Sequence, residues 1–255
     1  MGARLGQHFL FDPAILGRIA DAALVTPSDH VLEIGPGKGT LTRELARRAG
    51  RVTAIERDAR LAAALAAALA GSNVTVVPGD ALTVAWPTAD VIAGNIPYQI
   101  TSPLIARALE PPRPRHIVFL IQREVADRLA AAPGSDAYGA LSAGVQLVAS
   151  VERLFGVKAG AFRPPPRVES AVVRITPLAQ PLVRNAEDEA AARRLIQAVF
   201  QRRRQQIQRA LRQGLGLTAE RVTQVLAATG IPPTERAANL GPDVLLALAR
   251  LSGPA

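Results

Sequence analysis

Apolar residues recur along this chain at two different periods, and the alternation between them predicts its architecture. Short apolar runs at His30–Ile34, Val52–Ile55, Val74–Val77, Val91–Ala93 and Ile117–Ile121 alternate with amphipathic stretches at Leu41–Arg48, Ala59–Ala70, Pro103–Leu109 and Arg123–Ala130. Runs this short and this apolar suit strands buried on both faces, and helical stretches between them suit crossover connections. The pattern therefore predicts an α/β fold with a parallel, doubly wound sheet. A helix precedes it from Asp12, with Pro13 in its first turn and Ile15, Leu16, Ile19 and Ala23 at helical spacing. The repetitive Leu61–Ala70 stretch reads as a surface helix and is given no function.

A helix near Leu141–Ala149 leads to two further apolar runs, Val151–Val157 and Ser170–Thr176, separated only by a Pro-rich loop. That loop is too short for a crossover helix. The two runs are expected as an antiparallel pair at the edge of what becomes a seven-stranded sheet. Beyond Thr176–Pro181 the strand signal stops, and helices are predicted near Glu187–Phe200, Arg202–Leu215, Ala219–Ala228 and Asp243–Leu251. The expected organisation is a larger domain over 1–178 and a small helical domain over 179–255.

Composition narrows the chemistry. With 255 residues and 49% hydrophobic content the chain has ample material for a packed core. Charge or Pro interrupts every apolar stretch before it could span a bilayer, and the first ten residues lack a signal-peptide core, so a cytoplasmic protein is expected. No Cys is present, and the three His residues are scattered, which excludes disulfides and thiolate chemistry and predicts no metal site. The net charge is +9, nearly all of the cations being Arg. From Ala179 onward there are 11 Arg against 6 acidic residues. A field of that sign favours polyanions, nucleic acid first. Within it, "QRRRQQIQRALRQ" concentrates Arg202, Arg203, Arg204, Arg209 and Arg212, with Ile207 and Leu211 turned the other way at i, i+4. These arginines are the candidate RNA contacts.

Three consecutive strand ends carry the candidate cofactor chemistry. "EIGPGKGTLT" places Gly35, Gly37 and Gly39 between a strand and a helix, where glycine permits a tight turn and close approach of a ligand. A dinucleotide fingerprint would need glycine at position 40, where this chain has Thr, so the spacing leans toward S-adenosylmethionine rather than a nicotinamide cofactor. Glu56 ends the next strand about 20 residues beyond, where a carboxylate accepts ribose hydroxyls. Asp80 ends the third, placed to accept the exocyclic amine of an adenine.

The fourth strand ends in "GNIPYQIT", so Asn95, Ile96, Pro97 and Tyr98 are expected in the same crevice. An adenine N6 is a weak nucleophile because its lone pair is delocalised into the ring. Acceptors that hold its hydrogens favour the tetrahedral nitrogen needed for attack, and the Asn95 side-chain oxygen and Ile96 carbonyl supply two, with Pro97 fixing the turn and Tyr98 stacking on the base. Asn takes up no proton at neutral pH, so no side-chain general base is expected; positioning is the main source of rate. In "AFRPPPRVES", three prolines stiffen a loop that could hold Phe162 against the second face of a flipped adenine, or merely bury it.

These blocks occur in one order with "GQHFL", "QREVADRLAA", "YGALS", "FRPPPRVESAVVRITP" and "GIPPTERAANL". Together they resemble the ribosomal small-subunit RNA adenine dimethyltransferase family over nearly the whole length. The resemblance implies a class I, Rossmann-like S-adenosylmethionine-dependent fold and cofactor contacts at His8, Leu10, Gly35, Glu56, Asp80 and Asn95. It implies an adenine site at Asn95, Ile96, Pro97, Tyr98 and Phe162. It also implies a substrate, two adjacent adenosines of the 3′-terminal hairpin loop in small-subunit rRNA or a pre-30S particle, and a monomer. The family pattern usually has Asn where this chain has His8. A large-subunit rRNA adenine methyltransferase of the antibiotic-resistance type is the nearest alternative, and a ribosome-assembly RNA-binding factor with dispensable catalysis is another.

Overall fold

The computed structural model describes residues 8–253, and the first seven residues, including Gly6 and Gln7 of "GQHFL", lie outside them. Contacts divide the chain into two compact units, one of residues 1–126 and 151–177, the other of 127–150 and 178–255.

The first unit is the sheet. Along the chain it contains β1 (Phe9–Leu10), α1 (Pro13–Ala22), β2 (His30–Ile34), α2 (Thr40–Ala46), β3 (Arg51–Glu56), α3 (Ala59–Ala68), β4 (Val74–Pro78), β5 (Val91–Asn95), α4 (Thr101–Ala108) and β6 (His116–Gln122). After α5 (Arg123–Leu129) and α6 (Ala140–Gln146) come β7 (Ala149–Val157), β8 (Phe162–Arg163) and β9 (Ser170–Pro177). The seven-stranded sheet runs β4-β3-β2-β5-β6-β9-β7. Its first five strands are mutually parallel, and β9 joins β6 antiparallel. The order reverses between β2 and β5, which makes the C-terminal edge of those strands the crevice where such sheets bind ligands.

Burial on both faces explains the continuous apolar strands. Val31, Val52, Val91, Val118 and Val172 share one core with Leu16 and Ile19 of α1 and Leu41 and Leu45 of α2. Helix starts are fixed locally. Asp12 accepts from the Ala14 and Ile15 amides ahead of Pro13, and Asp58 caps α3 through the Arg60 and Leu61 amides.

The second unit adds α7 (Ala186–Phe200), α8 (Ile207–Leu215), α9 (Ala219–Thr229) and α10 (Pro242–Ser252). Asp188 clips α7 to α10. Its buried carboxylate accepts from Arg250 at 2.6 Å and from Arg184, and these guanidinium partners hold it well below the usual carboxylate range. Tyr138, from the "YGALS" block, is fully buried, donates to the Leu240 carbonyl at 3.0 Å and meets Phe200 edge-on.

Three features differ from the sequence expectation. Residues 127–150 group with the C-terminal helices, whereas the boundary at 178 left them with the sheet; a buried Tyr138 bonded to Leu240 accounts for it. The helix expected from Arg202 starts at Ile207, and 201–205 are turns. No apolar residue lies between Phe200 and Ile207, so a helix there would bury nothing, and a turn lets Ile207 reach the core. Finally, β1 and β8 form a separate antiparallel pair, Phe9 opposite Arg163 and Leu10 opposite Phe162.

Candidate active site

Parallel register delivers the site residues side by side. Ile34 of β2 lies opposite both Ile55 and Gly94, and Glu56 opposite Pro78, so the glycine loop, Glu56, the Asp80 turn and Asn95 leave adjacent strand ends. Gly94 is required by this closeness. A Cβ there would meet the Ile34 carbonyl oxygen at 2.5 Å.

The glycine loop and Glu56 support each other. Glu56 is 4% exposed; its Oε2 accepts from the Gly37 amide at 2.9 Å and Oε1 from the Asp58 amide at 2.8 Å. Gly37 has φ +54°, and a Cβ on it would come within 2.9 Å of the Phe9 ring. Asp80 accepts from the Leu82 amide through Oδ1 and faces Arg57 across 3.5 Å through Oδ2. Gly35 and Gly37 line the resulting cavity, whereas Gly39 is the N-cap of α2, packed against Leu65 rather than facing the space.

The Asn95 corner is oriented by the start of the chain. Asn95 Nδ2 donates to the His8 carbonyl at 2.9 Å, which leaves Oδ1 as the free acceptor of the amide among the described residues. His8 is itself held: Nδ1 donates to the Pro164 carbonyl at 2.8 Å and the ring stacks on Tyr98, centroids 6.1 Å apart. The Tyr98 hydroxyl meets Ser170 Oγ at 2.9 Å. Thr40 donates to the Leu10 carbonyl, tying β1 to α2. His8, Leu10, Gly35, Gly37, Glu56, Asp80, Asn95, Ile96, Pro97 and Tyr98 all line one cavity of about 440 Å³, a size that suits a nucleoside-sized ligand.

Phe162 corrects an expectation. It is 2% exposed, belongs to the apolar core with Leu10 and Val172, and does not line the cavity. Pairing of β8 with β1 turns the ring inward, so it presents no face to a base in this structure. In the second unit, Arg203, Arg204, Arg209 and Arg212 are exposed and Arg202 is half-buried. Arg202 donates to Gln213 and Arg203 to the Asp136 carbonyl.

A model of the ribosomal RNA adenine dimethylase family matches residues 2–251. The chain belongs to this family. A "Ribosomal RNA small subunit methyltransferase A" of Geobacter metallireducens is 40% identical over 96% of this chain and 93% of its own. Among solved structures, a dimethyladenosine transferase from Plasmodium falciparum superposes with TM-score 0.83 at 28% identity, covering 94% of this chain and 96% of that one. The 23S rRNA methyltransferase ErmE gives 0.75 at 31% identity, covering 95% and 98%.

This dimethylase is an enzyme that uses S-adenosylmethionine, and the cleft fits that cofactor. The loop whose Gly37 leaves no room for a side chain, with buried Glu56 and half-buried Asp80 beyond it, offers backbone donors and carboxylates spaced along the strand ends. The dimethylase cleft also holds a group that sequence reasoning passed over. Glu33 of β2 is 1% exposed and lines the cavity; burial pushes its carboxyl up to about 8, Glu56 adds to the effect, and Thr42 opposes it. The signal was present as a lone acid among the apolar positions Val31, Leu32 and Ile34 of "HVLEI".

A pH dependence follows. At neutral pH the folded protein keeps a proton on Glu33 that the unfolded chain has lost. This contribution to stability is complete below the ordinary pKa near 4.5 and declines as pH rises to about 8. Glu33→Gln has no proton to lose. Thermal melts without ligand should show the variant gaining on wild type from pH 5 to pH 8, and a constant difference would contradict a protonated Glu33.

Proposed function

We propose that the enzyme methylates N6 of two adjacent adenosines in the 3′-terminal hairpin loop of small-subunit (16S) rRNA, each to N6,N6-dimethyladenosine. It acts as a cytoplasmic monomer on the RNA within a pre-30S particle. The observation that carries the reading is the Asn95 amide: its nitrogen is committed to the His8 carbonyl, and its oxygen is left as an acceptor beside the glycine-lined cleft. A cleft built only to bind a nucleotide has no need of such an acceptor at the end of β5. The names of the curated relatives favour the small-subunit substrate over the large-subunit one.

S-adenosylmethionine supplies, when bound, an electrophilic methyl group on a sulfonium. The chain's own residues do the rest. Glu56 accepts the ribose hydroxyls with the lone pairs that the Gly37 and Asp58 amides leave free. Asp80 accepts the cofactor's adenine amine, with Arg57 neutralising its outer oxygen. His8 and Leu10 close the cofactor side of the cleft. Asn95 Oδ1 and the Ile96 carbonyl hold the N6 hydrogens of the target, which favours the pyramidal nitrogen over the planar one. Pro97 fixes the corner and Tyr98, held by Ser170, gives the base one stacking face. The proton leaves N6 to solvent during or after transfer, since no residue at the corner is needed as a base. Holding nucleophile and methyl in line accounts for roughly 7–11 kcal/mol of the barrier, against roughly 1–3 kcal/mol for stacking.

The helical unit supplies the phosphate contacts through Arg202, Arg203, Arg204, Arg209 and Arg212. Replacing Arg202, Arg203 and Arg204 together by Gln should weaken RNA binding at low salt and reduce the slope of log K against log salt by roughly 2 to 3. An unchanged slope would remove these arginines from the footprint. The substrate itself is tested by offering naked hairpin RNA and unmethylated small subunits in parallel. Methylation of neither would overturn the reading.

A further inference from the structure

The rim of the cavity carries a feature that the reaction as described does not use. Phe11 follows β1 directly, its amide bonded to the Ala161 carbonyl at 3.1 Å, and the residue is 41% exposed. The Arg163 guanidinium lies 4.5 Å from that ring's centroid. Two residues earlier, on the same side of the extended chain, Phe9 lines the cavity and has the Lys38 ammonium 5.0 Å from its own centroid. Exposed Arg167 and Val168, the latter 46% exposed, follow on the same Pro-rich loop. Among the described residues Lys38, Arg163 and Arg167 pair with no carboxylate, unlike Arg57 with Asp80 or Arg123 with Glu169. A single exposed Phe needs no explanation. Two aromatic rings with cations laid against them, two residues apart on one extended segment and the first of them lining the adenine-accepting cavity, have the composition of a single-strand nucleic-acid platform.

We propose that the β1/β8 rim is an RNA-binding site for the nucleotide flanking the target adenosine, whose base stacks on Phe11 while Lys38, Arg163 and Arg167 meet the adjoining phosphates. The inference rests on the adenine-methylating reading above. Turning one adenine into the cavity strips its neighbour of a stacking partner, and a surface at the rim that replaces the lost face lowers the cost of that turn.

The test uses the full chain and the small-subunit hairpin RNA, read by fluorescence anisotropy. Phe11→Ala should raise the RNA Kd about tenfold, Phe11→Trp should restore it, and neither should move the S-adenosylmethionine Kd. With an abasic nucleotide in place of the flanking adenosine, wild type should lose about the same factor and Phe11→Ala should lose little more. Unchanged RNA affinity in Phe11→Ala, or penalties that simply multiply, would overturn the platform. Methyl transfer by wild type, followed in parallel on the hairpin RNA and on unmethylated small subunits, reports separately on the parent reading: its absence from both overturns the small-subunit adenine assignment, whereas transfer with an indifferent Phe11 overturns the platform alone.

Discussion

Asn95→Ala should lower kcat by about a hundredfold to a thousandfold and leave S-adenosylmethionine binding nearly unchanged. The magnitude is that of removing one preorganised acceptor aimed at charge developing in a transition state. The selectivity follows from geometry. The only hydrogen bond of the side chain among the described residues runs from Nδ2 to the His8 carbonyl, so truncation removes Oδ1 from the target side and costs the cofactor side only a tether. Single-turnover rates at saturating cofactor and RNA, with calorimetry for the cofactor, separate the two. Full turnover by the variant would remove Asn95 from the chemistry.

Glu56→Ala should show the opposite partition. Its carboxylate holds the Gly37 and Asp58 amides at 2.9 and 2.8 Å and is 4% exposed, so its loss leaves two amides without their acceptor as well as depriving the ribose of its own. Hydrogen bonds to a charged group contribute about 1.5–3 kcal/mol each. Losing two predicts a rise of at least about a hundredfold in the Kd of S-adenosylmethionine. S-adenosylhomocysteine should suffer equally, since both carry the same ribose. Saturating cofactor should recover most of kcat, and RNA affinity should not move. Calorimetry with both ligands checks it; an effect on the sulfonium compound alone would place Glu56 near the methyl group instead.

Much of this site was legible because parallel strands bring their ends to one edge. Once the runs ending at Ile34, Glu56, Pro78 and Asn95 are read as neighbouring parallel strands, the glycines, Glu56, Asp80 and the Asn95 corner must converge. What the sequence concealed depended on contacts between distant positions. β1 and β8 are two residues each and pair across more than 150 positions, too short for any periodicity to announce them. That pairing decides that Phe162 faces the core and that His8 lies against Asn95 and Pro164. The stretch 202–206 looked helical because Arg and Gln are good helix formers, yet helix formation in a protein follows an apolar face, which begins at Ile207. Gly39 matched a cofactor glycine by spacing but serves the start of α2.

The central claim is that the Asn95 corner presents an adenine N6 to the methyl donor. It is tested most directly by incubating the purified protein with small-subunit hairpin RNA or unmethylated subunits and S-adenosylmethionine carrying a deuterated methyl group, then digesting and analysing the RNA by mass spectrometry. The account predicts N6,N6-dimethyladenosine carrying two labelled methyl groups at two adjacent loop positions, and its loss with Asn95→Ala. Label on a ring nitrogen, on ribose or on another base would contradict it.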